Sequence, residues 1–498
     1  MTAIMNESDL MTRLDVVMLP DDRRVVIKLF VPGEDAMPAL NRASNMIERI
    51  LQLDEDEIAR LLDDVLARFQ DRHHDILAVF QHHYDLISHR VPAQIELSPA
   101  ARTLIGAYFS HEFSVEAAAL CNPSMVAHPD QADLEPGELR AAISLRQIGE
   151  GHISSIGFAT AIVGPGAQFR LEPRSGPLVI GHRVGARHRR ELLAAGLAEN
   201  DIDNEASAYA MCALPERYDD DEFEDIIAHV PAELLARPAT PETLATIRKI
   251  VATDYAVTFP ATVPLDQRVL WPATQAERNG MEDARFVQFA EPGPGGRTYY
   301  KATYTAYDGR NIGGRQLYSR DLRHFEVTAL RGPAAQNKGM ALFPRPVGGR
   351  YLALCRSDGE TLGLSARDEW MWWQESVPLL VPHRGWDLIQ VGNCGSPIET
   401  ESGWLVLTHG VGPMRRYAIG AMLLDLDEPE RVIADLPHGL LEPDEREREG
   451  YVPNVVYSCG ALLHDGQIWL PYGAGDVRIG FASMRLDALL ERMVPVSR

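Results

Sequence analysis

Nowhere in the 498 residues do Lys and Arg gather into a run longer than a few positions, and acidic residues outnumber basic ones 71 to 48, for a net charge of −23. Binding to a phosphate backbone needs a clustered cationic footprint, so nucleic acid is excluded as a partner. Long apolar runs are also missing: no stretch approaches the length of a membrane span. Charges interrupt every apolar run of MTAIMNESDLMTRLDVVMLPDD at the start, which therefore lacks the core of a secretory signal, and cytoplasmic location is the expectation. Cysteine is scarce. Cys121, Cys212, Cys355, Cys394 and Cys459 are odd in number, far apart and form no CxxC pair, which excludes a disulfide framework and a zinc ribbon and predicts reduced, mostly buried thiols. What remains is ordinary globular composition, 24% charged and 45% hydrophobic, at a length that calls for two or three modules. Any anionic substrate must be drawn in by a local positive pocket.

The second half of the chain repeats itself. Four times an apolar strand, a Gly-containing turn and a second strand accompany a polar signature. Asp283-Ala-Arg285 leads to a stretch ending at Gly309, Lys338-Gly-Met-Ala-Leu-Phe-Pro to one ending at Gly359, Asn393-Cys-Gly-Ser-Pro to one ending at Gly412, and Pro453-Asn-Val-Val-Tyr to one ending at Asp476. The starts recur at roughly fifty-five residues, near the length of one four-stranded propeller blade. Strand patterns between Leu120 and Gly164, broken by the acidic loop HPDQADLEPGE, add an irregular first blade. The fold class expected is mainly β, a five-bladed β-propeller over 116–498, with a helical insertion at about 187–255 and an N-terminal region over 1–115.

That N-terminal region reads as a hairpin over residues 15 to 32, turning at Pro20-Asp21-Asp22, and then as helices. Asp54 and Glu57 have capping-box spacing, and Ile58, Leu61, Leu62, Val65, Leu66 and Phe69 share one helical face that needs a partner surface, inside the chain or across a homo-oligomer. Ile76 to Ile87 continues the pattern. Its histidines and those before it (His73, His74, His82, His83) lack metal-ligand spacing and read as solvated surface. In the insertion, Thr240 reads as an N-cap with Pro241 opening the helix.

A propeller gathers the ends of its inner strands around one axis, so chemistry is sought where the signatures lie. Asp283 supplies a carboxylate, for which a local ion pair with Arg285 is the structural alternative. Lys338, Arg356 and His409 supply up to three cationic donors at corresponding blade positions, a set that repels itself unless an anion is bound. Singly, each has an ordinary explanation: a solvated Lys338, an Arg356 paired with Asp358, a core His409. Asn122, Arg146 and Asp476 are placed to hold sugar hydroxyls. Tyr304, Tyr307, Tyr417, Tyr457 and Tyr472 offer either stacking faces or core. The GxG at Gly410 to Gly412 has no helix after it and is no nucleotide motif. No cofactor motif or metal constellation is present in the sequence.

With these residues assembled, the chain resembles glycoside hydrolase family 130, the five-bladed propeller family of β-mannoside phosphorylases and some β-mannosidases. The resemblance covers about 118 to 485 and is carried by GMEDAR (280–285), NKGMALFP (337–344), GRYLALCR ending at Arg356, GNCGSPIETESGWLVLTHGVG (392–412), YAIGAMLLDL (417–426), and YVPNVVYSCG with PYGAGD (451–476). It implies that Asp283 is the catalytic acid and that Lys338, Arg356, Gln390 and His409 bind phosphate. It further implies that Asn122, Arg146 and Asp476 bind the sugar, and Glu282, Arg285 and Tyr417 are candidates for the same role. Two positions depart from the family pattern: Gln390 stands where many phosphorylases carry Lys, and Lys338 where Arg is common.

The activity implied is inverting phosphorolysis of short β-mannosides, with inorganic phosphate as co-substrate and no other cofactor, giving α-mannose 1-phosphate. Phosphate needs no general base. An inverting β-mannosidase of the same fold would need a second carboxylate, for which Glu399 and Asp358 are the nearest in sequence. A third expectation, from a different class, is a glycan-binding propeller without turnover. Linkage and acceptor depend on loops that the motifs do not specify.

Overall fold

Near-continuous runs of residues buried on both faces build the longer strands of this chain into antiparallel meanders. The computed structural model describes residues 11–33, 42–291, 297–368 and 371–496. Among these, the strand pairings fall into five meanders, each a run of neighbouring strands in sequence order. The first comprises Ala119–Ala127, Leu139–Ile148, Ser154–Gly164 and Gln168–Leu171. The second comprises Gly280–Ala290, Thr298–Tyr307, Ile312–Ser319 and His324–Ala329. A parallel bridge between Gly280 and Ser154 joins these two into one larger sheet. The third runs Ala341–Leu342, Tyr351–Cys355, Leu362–Arg367 and Val377–Leu380. In the fourth, Gln390–Asn393 and Ile398–Thr400 both pair with Gly403–Val411, followed by Tyr417–Leu424 and Val432–Asp435. The fifth has Val456–Tyr457 and Leu462–His464 on Gln467–Ala474, then Arg478–Arg485. The Gly-containing turn expected around 292–296 lies outside the described residues.

The N-terminal strands correct one expectation. Thr12–Met18 and Val25–Leu29 do not form a hairpin: the first pairs with Arg478–Arg485 and completes the fifth meander, while the second pairs with Ser110–Ser114. The intervening turn is held from elsewhere, because buried Glu116 accepts from the Asp21 N–H at 3.0 Å and pairs with Arg24 Nε at 3.2 Å. Local pattern specified two strands and a turn but not their partners.

Four helices follow, Arg42–Ile50, Glu55–Phe69, Ile76–Ile87 and Pro99–Tyr108, packed around Ile47, Ile58, Leu104 and Phe109. Asp54 caps Glu55–Phe69 through the Glu57 N–H at 2.8 Å, and of the expected apolar face only Ile58 is fully buried. The Ile76–Ile87 and Pro99–Tyr108 helices approach so closely that a Cβ at Gly106 would lie 1.9 Å from the Phe80 carbonyl oxygen. Two of the histidines read as surface are buried instead: His73 Nε2 lies 2.7 Å from Glu112 Oε1, and His83 Nδ1 2.7 Å from Ser110 Oγ. A second helical cluster runs from Arg190–Glu199 to Thr240–Val251, and in its last helix Ala239 rather than Thr240 takes the N-cap position. Among the described residues no helix is long and apolar enough to cross a membrane, and Cys121, Cys355, Cys394 and Cys459 are buried free thiols.

The meanders leave a cavity of about 260 Å³ whose lining includes Val126, Val287, Pro344, Ser396 and Ala461, one segment from each of the five. The candidate chemistry lies on or beside the first strands and at the far ends of the strands that follow them, or in the turns just beyond.

Candidate active site

Asn122 and Asp283 occupy matching places, the fourth residue of Ala119–Ala127 and of Gly280–Ala290. At both, the strand slips register, between Cys121 and Ser124 and between Glu282 and Arg285. Both residues have positive φ, 49° and 58°. A bulge breaks the alternation of faces and re-aims a side chain. Here it turns the two toward each other, and Asn122 Nδ2 donates to Asp283 Oδ1 at 2.5 Å.

Arg146, near the end of the next strand, clamps both neighbouring carboxylates. Its Nη1 donates to Asp283 Oδ1 at 3.2 Å and its Nη2 to Glu282 Oε1 at 2.6 Å. Lys338 Nζ takes the other Glu282 oxygen at 2.6 Å. Arg285 does not pair with the Asp283 carboxylate: it donates to the Asp283 backbone carbonyl at 3.0 Å and to the Tyr457 hydroxyl at 2.8 Å. Burial alone would raise the Asp283 carboxyl, but Arg146, Arg285, Lys338 and the Asn122 bond outweigh it and hold the group below the usual carboxylate range. Asp476, at a turn with φ 50°, is governed by burial, which with Asp283 nearby and Arg146 and Arg415 opposing brings its carboxyl up to about 6.

Beyond Tyr457 lies a second cluster. The Tyr457 ring sits 4.8 Å from that of His409, and Tyr417 stacks near His409 at 6.2 Å. Arg356 Nη1 donates to His409 Nε2 at 3.2 Å, so His409 presents its other nitrogen, Nδ1–H, to the Asn393 carbonyl at 3.3 Å. Burial, then Arg356 and Arg285, push the imidazole well below its ordinary value, and it is neutral. Gln390 Nε2 donates to the Tyr417 hydroxyl at 3.5 Å. The expected wall of three cations is thus thinner than its sequence suggested: Lys338 leans to Glu282, His409 is uncharged, and Arg356 carries the charge. Burial first, and Arg356 second, account for the neutral His409, and the attraction of Glu282 accounts for the lean of Lys338. Four buried polar atoms of these residues, Asn122 Oδ1, Arg146 Nε, Arg285 Nε and Arg356 Nε, have no protein hydrogen-bond partner.

All the candidate residues therefore belong to one connected group, with Asp476 joined through its field rather than a hydrogen bond. Sequence reasoning had Tyr457 only among five tyrosines, yet it bridges the two clusters through Arg285 and His409. Its place at the start of the fifth meander was the available signal. Tyr304 and Tyr472 are core residues bonded to Glu277 and Glu447, and Tyr307 closes a surface turn on Gly309. The two carboxylates considered for activating water are engaged: Glu399 is bound by Arg345 at 2.5 to 3.1 Å, and Asp358 accepts from the Glu360 and Thr361 N–H groups. Among the described residues no group of His, Cys, Asp and Glu is arranged to hold a metal ion.

A family model described as beta-1,4-mannooligosaccharide phosphorylase (Glyco_hydro_130) matches residues 261–494. A 1,2-beta-oligomannan phosphorylase of Thermoanaerobacter sp. (strain X514) is 32% identical over 226 residues, which span 45% of this chain and 74% of that protein. A beta-1,2-mannobiose phosphorylase of Listeria innocua serovar 6a is 29% identical over 239 residues, spanning 46% of this chain and 64% of that protein. Among solved structures, beta-1,2-mannobiose phosphorylase from Listeria innocua with bound beta-1,2-mannobiose aligns over 76% of this chain and 92% of its own, at 19% identity and a TM-score of 0.45.

Proposed function

Because the chain belongs to glycoside hydrolase family 130, we propose that it is an inverting phosphorylase of short β-mannosides, built as a five-bladed propeller over 116–498. The cavity lined by one segment from each meander supports that architecture. The single observation that carries the reaction is the division of the site into two sets, joined through Arg285 and Tyr457. On one side Asp283 is held by Asn122 and Arg146, and on the other Arg356, His409, Gln390 and Tyr417 form a cluster without a carboxylate.

In this reading the mannosyl unit lies between the sets. Phosphate, held by Arg356, Lys338 and Gln390 with His409 positioning Arg356, attacks the anomeric carbon while the glycosidic C–O bond breaks on the opposite face, and the departing oxygen takes the Asp283 proton, directly or through a ring hydroxyl. Asn122, Arg146, Glu282, Arg285, Tyr417 and Asp476 orient the hydroxyls. A phosphate paired with Lys338 offsets one of the three cations that depress the Asp283 carboxyl, which favours the protonated acid while the nucleophile is bound. The engagement of Glu399 and Asp358 in other bonds supports phosphate over water as the nucleophile. The buried free thiols fit a cytoplasmic setting.

The test is release of mannosides from β-1,2- and β-1,4-linked mannobiose and mannotriose with and without inorganic phosphate. Cleavage that requires phosphate is expected; equal rates in its absence assign a hydrolase, and binding without cleavage assigns a lectin-like role.

A further inference from the structure

Two exposed rings, His152 and Tyr451, lie on loops that adjoin the strands carrying Arg146 and Tyr457. His152 lies in the Gly149–Ile153 turn directly after the strand that carries Arg146, and Tyr451 lies in the loop leading to Tyr457. Their centroids are 5.8 Å apart with planes inclined at 30°, and Tyr451 is 62% exposed. The Tyr451 loop is fixed to the Asp476 turn. The Val452 N–H donates to the Gly475 carbonyl at 2.9 Å, and a Cβ at Gly450 would come within 2.4 Å of that oxygen, so the Tyr451 loop rests on the residue before Asp476. Leu120, two residues before Asn122, donates its N–H to Val477 O at 3.2 Å from the other side.

We propose that His152 and Tyr451 form a platform for a mannosyl unit on the leaving-group side of the cleaved bond, making longer chains better substrates than the disaccharide. The inference rests on the phosphorylase reading and adds a chain-length determinant to it. Position supplies the side: the phosphate set comes from the third and fourth meanders, whereas the ring pair comes from the first and fifth. In an in-line displacement the leaving group departs opposite the nucleophile. Chemistry supplies the occupant, because an exposed apolar ring face with a polar edge suits the C–H face of a sugar bordered by hydroxyls.

The experiment compares kcat/KM for β-linked mannotetraose and mannobiose, in both linkages, for the unaltered protein, Tyr451→Ala, Tyr451→Phe and His152→Ala. The tetraose-to-biose ratio is expected to fall about tenfold in both alanine variants and to be retained by Tyr451→Phe. An unchanged ratio overturns the platform. A second measurement separates this idea from the reaction: calorimetric binding of the same sugars, without phosphate, to Asp283→Asn protein with and without Tyr451→Ala. Tetraose affinity is expected to drop about tenfold and biose affinity less than about twofold. Equal losses for the two sugars, or no binding of either tetraose, overturn the platform even if phosphorolysis is observed. Absence of phosphorolysis with the binding difference intact overturns the proposed reaction alone.

Discussion

Asp283 and Asn122 keep a left-handed backbone that costs a non-glycine residue roughly 1 kcal/mol or more, and each does so at a bulge. The strain is repaid in geometry, since both side chains meet in the site. Replacing Asp283 by Asn is expected to cut turnover by about a thousandfold while the melting temperature stays within a few degrees; retention of more than about a tenth of the activity would remove it as the acid. Asp476 gives a different signature. Its carboxyl stands at about 6 in the folded protein against an ordinary 3.8, so the folded chain holds a proton that the unfolded chain releases, and stability falls as pH climbs between those values. Asp476→Asn lacks this loss. Its melting temperature relative to the unaltered protein is therefore expected to be higher at about pH 7.5 than at about pH 4.5, and an equal difference at both would contradict the assignment. Asp283 was legible in the sequence because its signature opens a repeat whose counterparts also carry polar groups. Its φ was not, since Glu-Asp-Ala-Arg continues a strand pattern without interruption. The pairing of Lys338 with Glu282 and the neutrality of His409 were equally hidden, because both depend on neighbours from other meanders.

At the scale of elements, Glu116 decides how the N-terminal strands are placed. It is buried, accepts from Arg174 Nη1 at 2.5 Å and Gln147 Nε2 at 2.8 Å, and faces Arg24 at 3.2 Å. Glu116→Gln removes the nearest counter-charge of two little-exposed guanidinium groups, and a loss of about 3–5 kcal/mol in denaturant unfolding is expected. A change under about 1 kcal/mol would show that the segment is held by other contacts. This buried ionic junction explains why the apparent hairpin fails to form: Thr12–Met18 and Val25–Leu29 each find a sheet edge elsewhere, and the turn between them is bound by a residue about a hundred positions away. Strand type follows from alternation and β-branched residues, whereas strand partner is a tertiary property. The helices were legible for the converse reason. Ile76–Ile87 follows from spacing within its own length, and only the burial of His73 and His83 required the neighbouring strand Ser110–Ser114.

For the whole molecule, the site draws on every meander: Asn122 and Arg146 from the first, Glu282, Asp283 and Arg285 from the second, Lys338 and Arg356 from the third, Gln390, His409 and Tyr417 from the fourth, Tyr457 and Asp476 from the fifth. The family match begins at residue 261, so the first meander enters on geometry: the Asn122 and Arg146 bonds to Asp283. The most direct test is phosphorus NMR of the unaltered protein with β-linked mannobiose and inorganic phosphate. One sugar phosphate of α configuration, formed in step with mannose, is the result expected. Mannose accumulating while the phosphate signal stays unchanged, or a β-configured product, would contradict attack by phosphate from the Arg356 side opposite Asp283.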